Sequence, residues 1–154
     1  GIPKNGWFNY GGKRYYLSPS TRTGYREVWD EDTGEGEYYF FDQDGAVCEP
    51  NDGWFSIKSD GQTYWYYIKN GEPVRDSWYN GHRFGWDGEM YTGSIWTGTD
   101  EIYVYDDNGY LLKNGWHKLD GVWYYTDAKG RAYTGERKIN GTTYWFANDG
   151  IWVK

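Results

Sequence analysis

The sequence predicts an all-β protein, an elongated β-hairpin solenoid of about seven repeats of roughly 20 residues each, with essentially no helix. Three observations predict it. The 154-residue chain holds 11 Trp, 18 Tyr and 6 Phe against only 4 Leu, 7 Ile and 6 Val, so rings must supply the buried area. Each buried ring removes roughly 150–250 Å² from water, so half of these rings already outweigh all the aliphatic side chains. A Gly closes a polar turn at positions 45, 71, 88, 109, 130 and 150, which makes five intervals averaging 21 residues. Asn-Gly or Asp-Gly occurs 12 times, and these dipeptides tolerate the positive φ angles of a type I′ hairpin turn.

The stretches between turns run four to nine residues and are rich in Tyr, Trp, Thr, Ile and Val, which suits strands and is too short for a stable helix. The first repeat, 5–28, pairs Trp7–Tyr10 with Tyr15-Tyr16 across Gly11-Gly12 and then runs long through Ser18–Gly24. The second, 29–49, carries the acidic segment Asp30–Glu35, which must project as an extra turn or loop before Tyr38–Phe41. The third, 50–75, holds Trp54 and Trp65-Tyr66-Tyr67, with two residues more than the regular spacing after Gly61. The fourth, 76–93, is short from Trp78 to Gly88. The fifth, 94–113, centres on Tyr103-Val104-Tyr105, the sixth, 114–135, on Trp123-Tyr124-Tyr125, and the seventh, 136–154, on Tyr144-Trp145-Phe146. A lone hairpin is marginal in water, so each lays its aromatic face on its neighbours. No composition shift marks a linker, and 1–154 reads as a single domain.

Charge and composition exclude several function classes. With 16 basic and 23 acidic residues the formal charge is −7, and no stretch gathers Lys and Arg into a stripe, so nucleic acid is not an expected partner. No run of 18 apolar residues exists, which argues against membrane insertion by a helix. The first six residues lack the apolar segment of a signal peptide, so the chain reads as a mature or excised piece. Cys48 stands alone, which excludes an internal disulfide and leaves a buried or half-buried free thiol.

The stretch Gly115-Trp116-His117-Lys118-Leu119-Asp120-Gly121-Val122-Trp123-Tyr124-Tyr125, continuing to Tyr133-Thr134-Gly135, resembles the cell-wall-binding repeat of choline-binding proteins and the related repeats of glucan-binding domains. Gly88-Glu89-Met90-Tyr91-Thr92-Gly93 is similar to the end of that pattern. The resemblance implies a non-catalytic anchoring module of a secreted or surface protein from Gram-positive bacteria or their phages. It also implies choline sites between consecutive hairpins, boxed by the Gly-Trp ring, the ring opening the aromatic run and a Met or Leu after the turn. A quaternary ammonium is held over such faces by about 0.5–2 kcal/mol per ring. On this resemblance Trp116, Trp123 and Tyr124 form walls, with Ala132 in place of the Met and Glu136 in place of the next Trp. Trp54 with Trp65, and Trp78 with Met90, carry parts of the same box.

Strand alternation lets only one of Tyr66 and Tyr67, or of Tyr124 and Tyr125, face the core. The candidate ligand-binding set is therefore Trp54, Trp65, Tyr66, Trp78, Met90, Trp116, Trp123, Tyr124, Tyr133 and Trp145. The expected ligand is bacterial cell-wall polysaccharide or a glucan, stacked on indole faces, with choline-bearing teichoic acid as the second reading and a spacer or protein-interaction stalk as the third. Ring faces at the end hairpins suit cover by a second copy. No cofactor, catalytic or metal site is expected. His82 and His117 read as solvated, on turns and away from any nucleophile motif. The carboxylate pairs Glu35/Glu37 and Asp30/Asp32 are too common in so acidic a chain to signal a glycosidase. Asp42-x-Asp44-Gly45 and Asp106-Asp107-Asn108-Gly109 look like calcium-loop fragments, but turn chemistry explains them better.

Overall fold

The computed structural model describes residues 6–18 and 22–154; the expected start of the first repeat at Asn5, and Pro19–Thr21 of its long connection, lie outside them. The described residues contain 17 strands and no helix, and the strands form antiparallel hairpins in seven small sheets. The chain groups into two compact units, Gly1–Tyr79 with Phe84–Met90 and Asn80–Arg83 with Tyr91–Lys154.

In the first unit, β1 (Gly6–Tyr10) pairs with β2 (Lys13–Leu17). A second sheet joins β3 (Gly24–Asp30), β4 (Glu35–Phe41) and β5 (Val47–Cys48), and a third joins β6 (Gly53–Ser59), β7 (Gln62–Lys69) and β8 (Glu72–Pro73). The repeat boundary expected between residues 28 and 29 falls inside β3, which pairs with β4 from Gly24↔Phe41 to Asp30↔Glu35. The second hairpin therefore opens at Gly24. Its acidic segment is the turn itself: the Asp30 carboxylate accepts the amides of Asp32 and Thr33 at 2.8 and 3.2 Å. Cross-strand alternation sends Tyr25, Phe40, Ile57, Tyr66 and Ile68 into a shared core.

A short ribbon of β9 (Ser77–Tyr79) and β10 (His82–Phe84) follows. In the second unit β11 (Gly93–Trp96) pairs with β12 (Ile102–Tyr105), β13 (Gly115–Leu119) with β14 (Val122–Thr126), and β15 (Gly135–Ile139) with β16 (Thr142–Phe146), to which β17 (Trp152–Val153) adds. Its buried side chains include Val104, Tyr105, Tyr124, Thr126, Ile139 and Phe146.

One device joins successive hairpins in this unit. After each glycine turn the chain folds back: the Tyr133 amide donates to Tyr125 of its own hairpin at 2.8 Å, while the Ala132 amide donates to Ile102 of the hairpin before at 2.7 Å. The turn glycine then packs on the preceding return segment. At Gly130, φ is +85° and a Cβ would come within 2.6 Å of Leu111 Cγ, so conformation and space both demand glycine. The aspartates of these loops serve the turns. Asp42, Asp106 and Asp127 each accept two backbone amides at 2.8–3.0 Å.

Candidate ligand site

Two hairpins build the same ring arrangement from the same register. In β6–β7, Trp54 faces Tyr67 and, one side-chain pair further along that face, Ser56 faces Trp65. In β13–β14, Trp116 faces Tyr125 and Lys118 faces Trp123. The period of two puts each indole pair on one face, and the two rings meet nearly at right angles. Trp54 and Trp65 lie 6.2 Å apart at 84°, Trp116 and Trp123 6.4 Å apart at 83°. Tyr67 and Tyr125 flank the two leading indoles at 5.3 Å, and a Phe from a later strand closes the back, Phe84 at 6.0 Å and Phe146 at 5.7 Å.

The two copies differ in openness to solvent. Trp54 is 46% exposed and Trp65 39%, so this corner presents two perpendicular indole faces. Met90 is half-buried beside it, its amide donating to the Trp65 carbonyl at 2.8 Å. Trp116 and Trp123 are half-buried, and Trp116 is also packed by Tyr144 at 5.0 Å and Trp152 at 5.6 Å. It is the hub of a ring cluster. Tyr133 is half-buried against Tyr125 at 4.8 Å. Trp78 and Trp145 are 53% and 57% exposed, and Trp145 stands directly across from Glu136.

Alternation resolves the tyrosine pairs. Tyr66 is fully buried and Tyr124 nearly so, while Tyr67 and Tyr125 are the members on the indole face. The Tyr66 hydroxyl donates to Glu89 Oε1 at 3.2 Å, beside the Arg26 guanidinium at 3.6 Å. Burial, then the nearby Asp87 charge, pushes the Glu89 carboxyl up despite Arg26. Burial and the Glu89 charge push the Tyr66 phenol up in turn. The histidines also differ from expectation. His82 lies on β10, buried against the Tyr110 ring at 4.5 Å, and half-buried His117 meets the Thr126 hydroxyl at 3.1 Å. Both sit on strands, not turns, because their alternation points them inward. Trp29, Trp86 and Trp96 are exposed rings outside the candidate set. Trp29 faces Gly36 in the register, so no side chain across the strand covers it, a signal that needs the β3–β4 pairing to be known.

A family model described as a cell wall binding repeat matches residues 5–20, 114–132 and 137–151. Three of the hairpins, β1–β2, β13–β14 and β15–β16, thus match the cell wall binding repeat. It is 31% identical to Glucosyltransferase-S of Streptococcus mutans serotype c and 29% identical to Glucosyltransferase-I of Streptococcus downei, in each case over 79% of this chain. It spans about a tenth of the length of these relatives. Among solved structures it is similar to choline binding protein F of Streptococcus pneumoniae, with a TM-score of 0.47, 23% identity, and coverage of 97% of this chain and 52% of that one. It is also similar to the choline-binding domain of CbpL from the same species, with a TM-score of 0.45, 19% identity and 97% of both chains covered.

The matched cell wall binding repeats contain Trp7, Trp116, Trp123 and Trp145; the Trp54/Trp65 corner lies between them in a repeat whose spacing departs from the pattern. That corner nevertheless keeps the register of the matched sixth repeat, because the two extra residues after Gly61 in β7 are matched by two extra residues before Asp60 in β6, so both strands lengthen together at their turn end.

Proposed function

We propose that these repeats form a non-catalytic module that attaches a secreted or surface protein of a Gram-positive bacterium to cell-wall polysaccharide or another glycan, through aromatic sites between hairpins. One observation carries the reading. Seven of the 11 Trp side chains, Trp29, Trp54, Trp65, Trp78, Trp86, Trp96 and Trp145, are exposed, in a chain that is short of apolar residues to bury. Leaving so many flat apolar faces in water opposes folding stability, and the C–H face of a pyranose covers such a ring while leaving its hydroxyls to neighbouring polar groups. The test is cosedimentation with insoluble glucans and purified cell walls. Trp54→Ala and Trp65→Ala each lower retention severalfold while the chain stays folded at the assay temperature, and retention unaffected by both substitutions overturns the reading.

The perpendicular Trp54/Trp65 corner with Met90 beside it favours, as the second reading, a quaternary ammonium such as the choline of teichoic acid. Millimolar choline then raises the melting temperature of the wild-type chain and not of Trp65→Ala; no response removes this reading and leaves the glycan reading intact.

A further inference from the structure

We propose that the joint between the β1–β2 and β3–β4 hairpins is an organic-cation site that the chain fills with its own Arg14, closing it to external cationic ligands. Trp7 faces Tyr16, as Trp54 faces Tyr67 and Trp116 faces Tyr125; one side-chain pair further along that face, Asn9 faces Arg14. Arg14 thus occupies the position of Trp65 and Trp123. The surrounding rings repeat as well. Trp7 meets Tyr16 at 5.1 Å and 72° and Tyr39 at 4.9 Å and 68°, with Phe41 behind at 6.4 Å, much as Trp116 meets Tyr125, Tyr144 and Phe146.

In place of a perpendicular indole, the first joint holds a guanidinium 3.7 Å from the centre of the Trp7 ring and 5.6 Å from that of Tyr39. That geometry is the one an external organic cation would take on the same faces, and a ring face cannot hold two cations at that distance. Tyr16 is covered by a second internal cation, with Arg22 at 5.0 Å. The rim supplies the opposite sign. The groove, about 720 Å³, is lined by Asp30, Glu31, Glu35 and Glu37 as well as these rings, while Arg14 forms no ion pair among the described residues. Its charge is balanced by ring faces and by the field of the rim. Removing it leaves an aromatic cage inside an acidic groove, the combination that favours an organic cation.

The inference rests on ring geometry and stands whether or not the exposed tryptophans bind glycan. Its test titrates the full chain with tetramethylammonium, followed by tryptophan fluorescence and by the NMR signals of the Arg14 side chain. In the wild type those signals are shifted upfield by the Trp7 ring current and stay shifted throughout the titration. Arg14→Ala and Arg14→Trp each bind the probe about tenfold more tightly than wild type, and adding Trp7→Ala abolishes the gain. Unshifted Arg14 signals, their displacement by the probe in the wild type, or folded variants that gain no affinity would each overturn the proposal. Should both variants fail to fold, the wild-type NMR titration decides alone. Glycan retention measured in parallel on Arg14→Ala stays at the wild-type level, which separates this result from the fate of the glycan reading.

Discussion

Asp127 shows how much a single polar residue does in a fold with so few aliphatic side chains. Its carboxylate accepts the amides of Lys129 at 2.8 Å and Arg131 at 3.0 Å and pairs with Arg131 Nε at 2.7 Å, while Arg131 reaches Glu101 at 3.1 Å. Partial burial pushes the Asp127 carboxyl up, but the bonds from Arg131 and Lys129 outweigh it, and it is held below the ordinary Asp range. A lowered folded value contributes stability that is fully present above the unfolded value of about 3.9 and is lost as pH falls through the lowered one. Asp127→Ala therefore costs about 1–2 kcal/mol in urea unfolding at pH 7, and the deficit shrinks below pH 4; a deficit independent of pH would contradict this account. Cys48 behaves oppositely. Burial, then the charge of Asp42, pushes its thiol up to about 11, so at pH 8 iodoacetamide modifies the folded chain roughly a hundredfold more slowly than the unfolded one. The half-buried thiol was legible in the sequence. The phase of the aromatic runs was not: Tyr66 and Tyr124 sit beside equally apolar neighbours, so which member faces inward depends on strand pairing and not on residue type. His82 escaped reading for the same reason.

At the scale of the hairpin, glycine turns are what the sequence shows best, because positive φ restricts the residues that can stand there. Glycine spacing located the turns at Gly45, Gly88, Gly109, Gly130 and Gly150, and all of them have φ between +80° and +85°. The boundary at 28/29 failed because the second hairpin lacks both markers, opening on Gly24-Tyr25 and turning through Asp30–Gly34 without an Asn-Gly or Asp-Gly pair. The second role of the turn glycines, as the flat surface on which the preceding return segment lies, has no signature in composition. It can be measured. Gly121 and Gly130 have nearly the same φ, +82° and +85°, but a Cβ at Gly121 meets nothing within 4 Å. Gly121→Ala therefore carries backbone strain alone, about 1 kcal/mol, whereas Gly130→Ala adds a clash with Leu111 and costs about 2–4 kcal/mol. Leu111→Ala, destabilising by itself, makes the Gly130→Ala change milder in a double-mutant cycle of denaturant unfolding; strict additivity would refute the packing role.

Over the whole chain, ring faces take two fates. Among the described residues, eight basic side chains lie over aromatic rings: Arg14, Arg22, Lys69, Arg75, Arg83, Lys118, Arg137 and Lys154. Significant cation–π pairs ordinarily occur roughly once per 70–80 residues, so this chain spends an unusual share of its positive charge on covering its own rings. The seven exposed tryptophans are the faces that remain available to an uncharged partner. Stacking of a sugar on one such indole is weak, but a polymer that spans several faces turns each later contact into an intramolecular one, raising avidity by about 10²–10⁴. A polymeric glycan is therefore retained at least a hundredfold more strongly than its repeating unit, and the difference collapses stepwise as Trp54, Trp65 and Trp145 are replaced by Ala in combination. Because stacking on an uncharged sugar involves no ion pair, raising the salt from 0.05 to 0.5 M leaves retention within about twofold despite the net charge of −7. Isothermal titration of the oligosaccharide series at both salt concentrations checks the two statements together, and equal affinity for the single unit and the polymer would defeat the multivalent account.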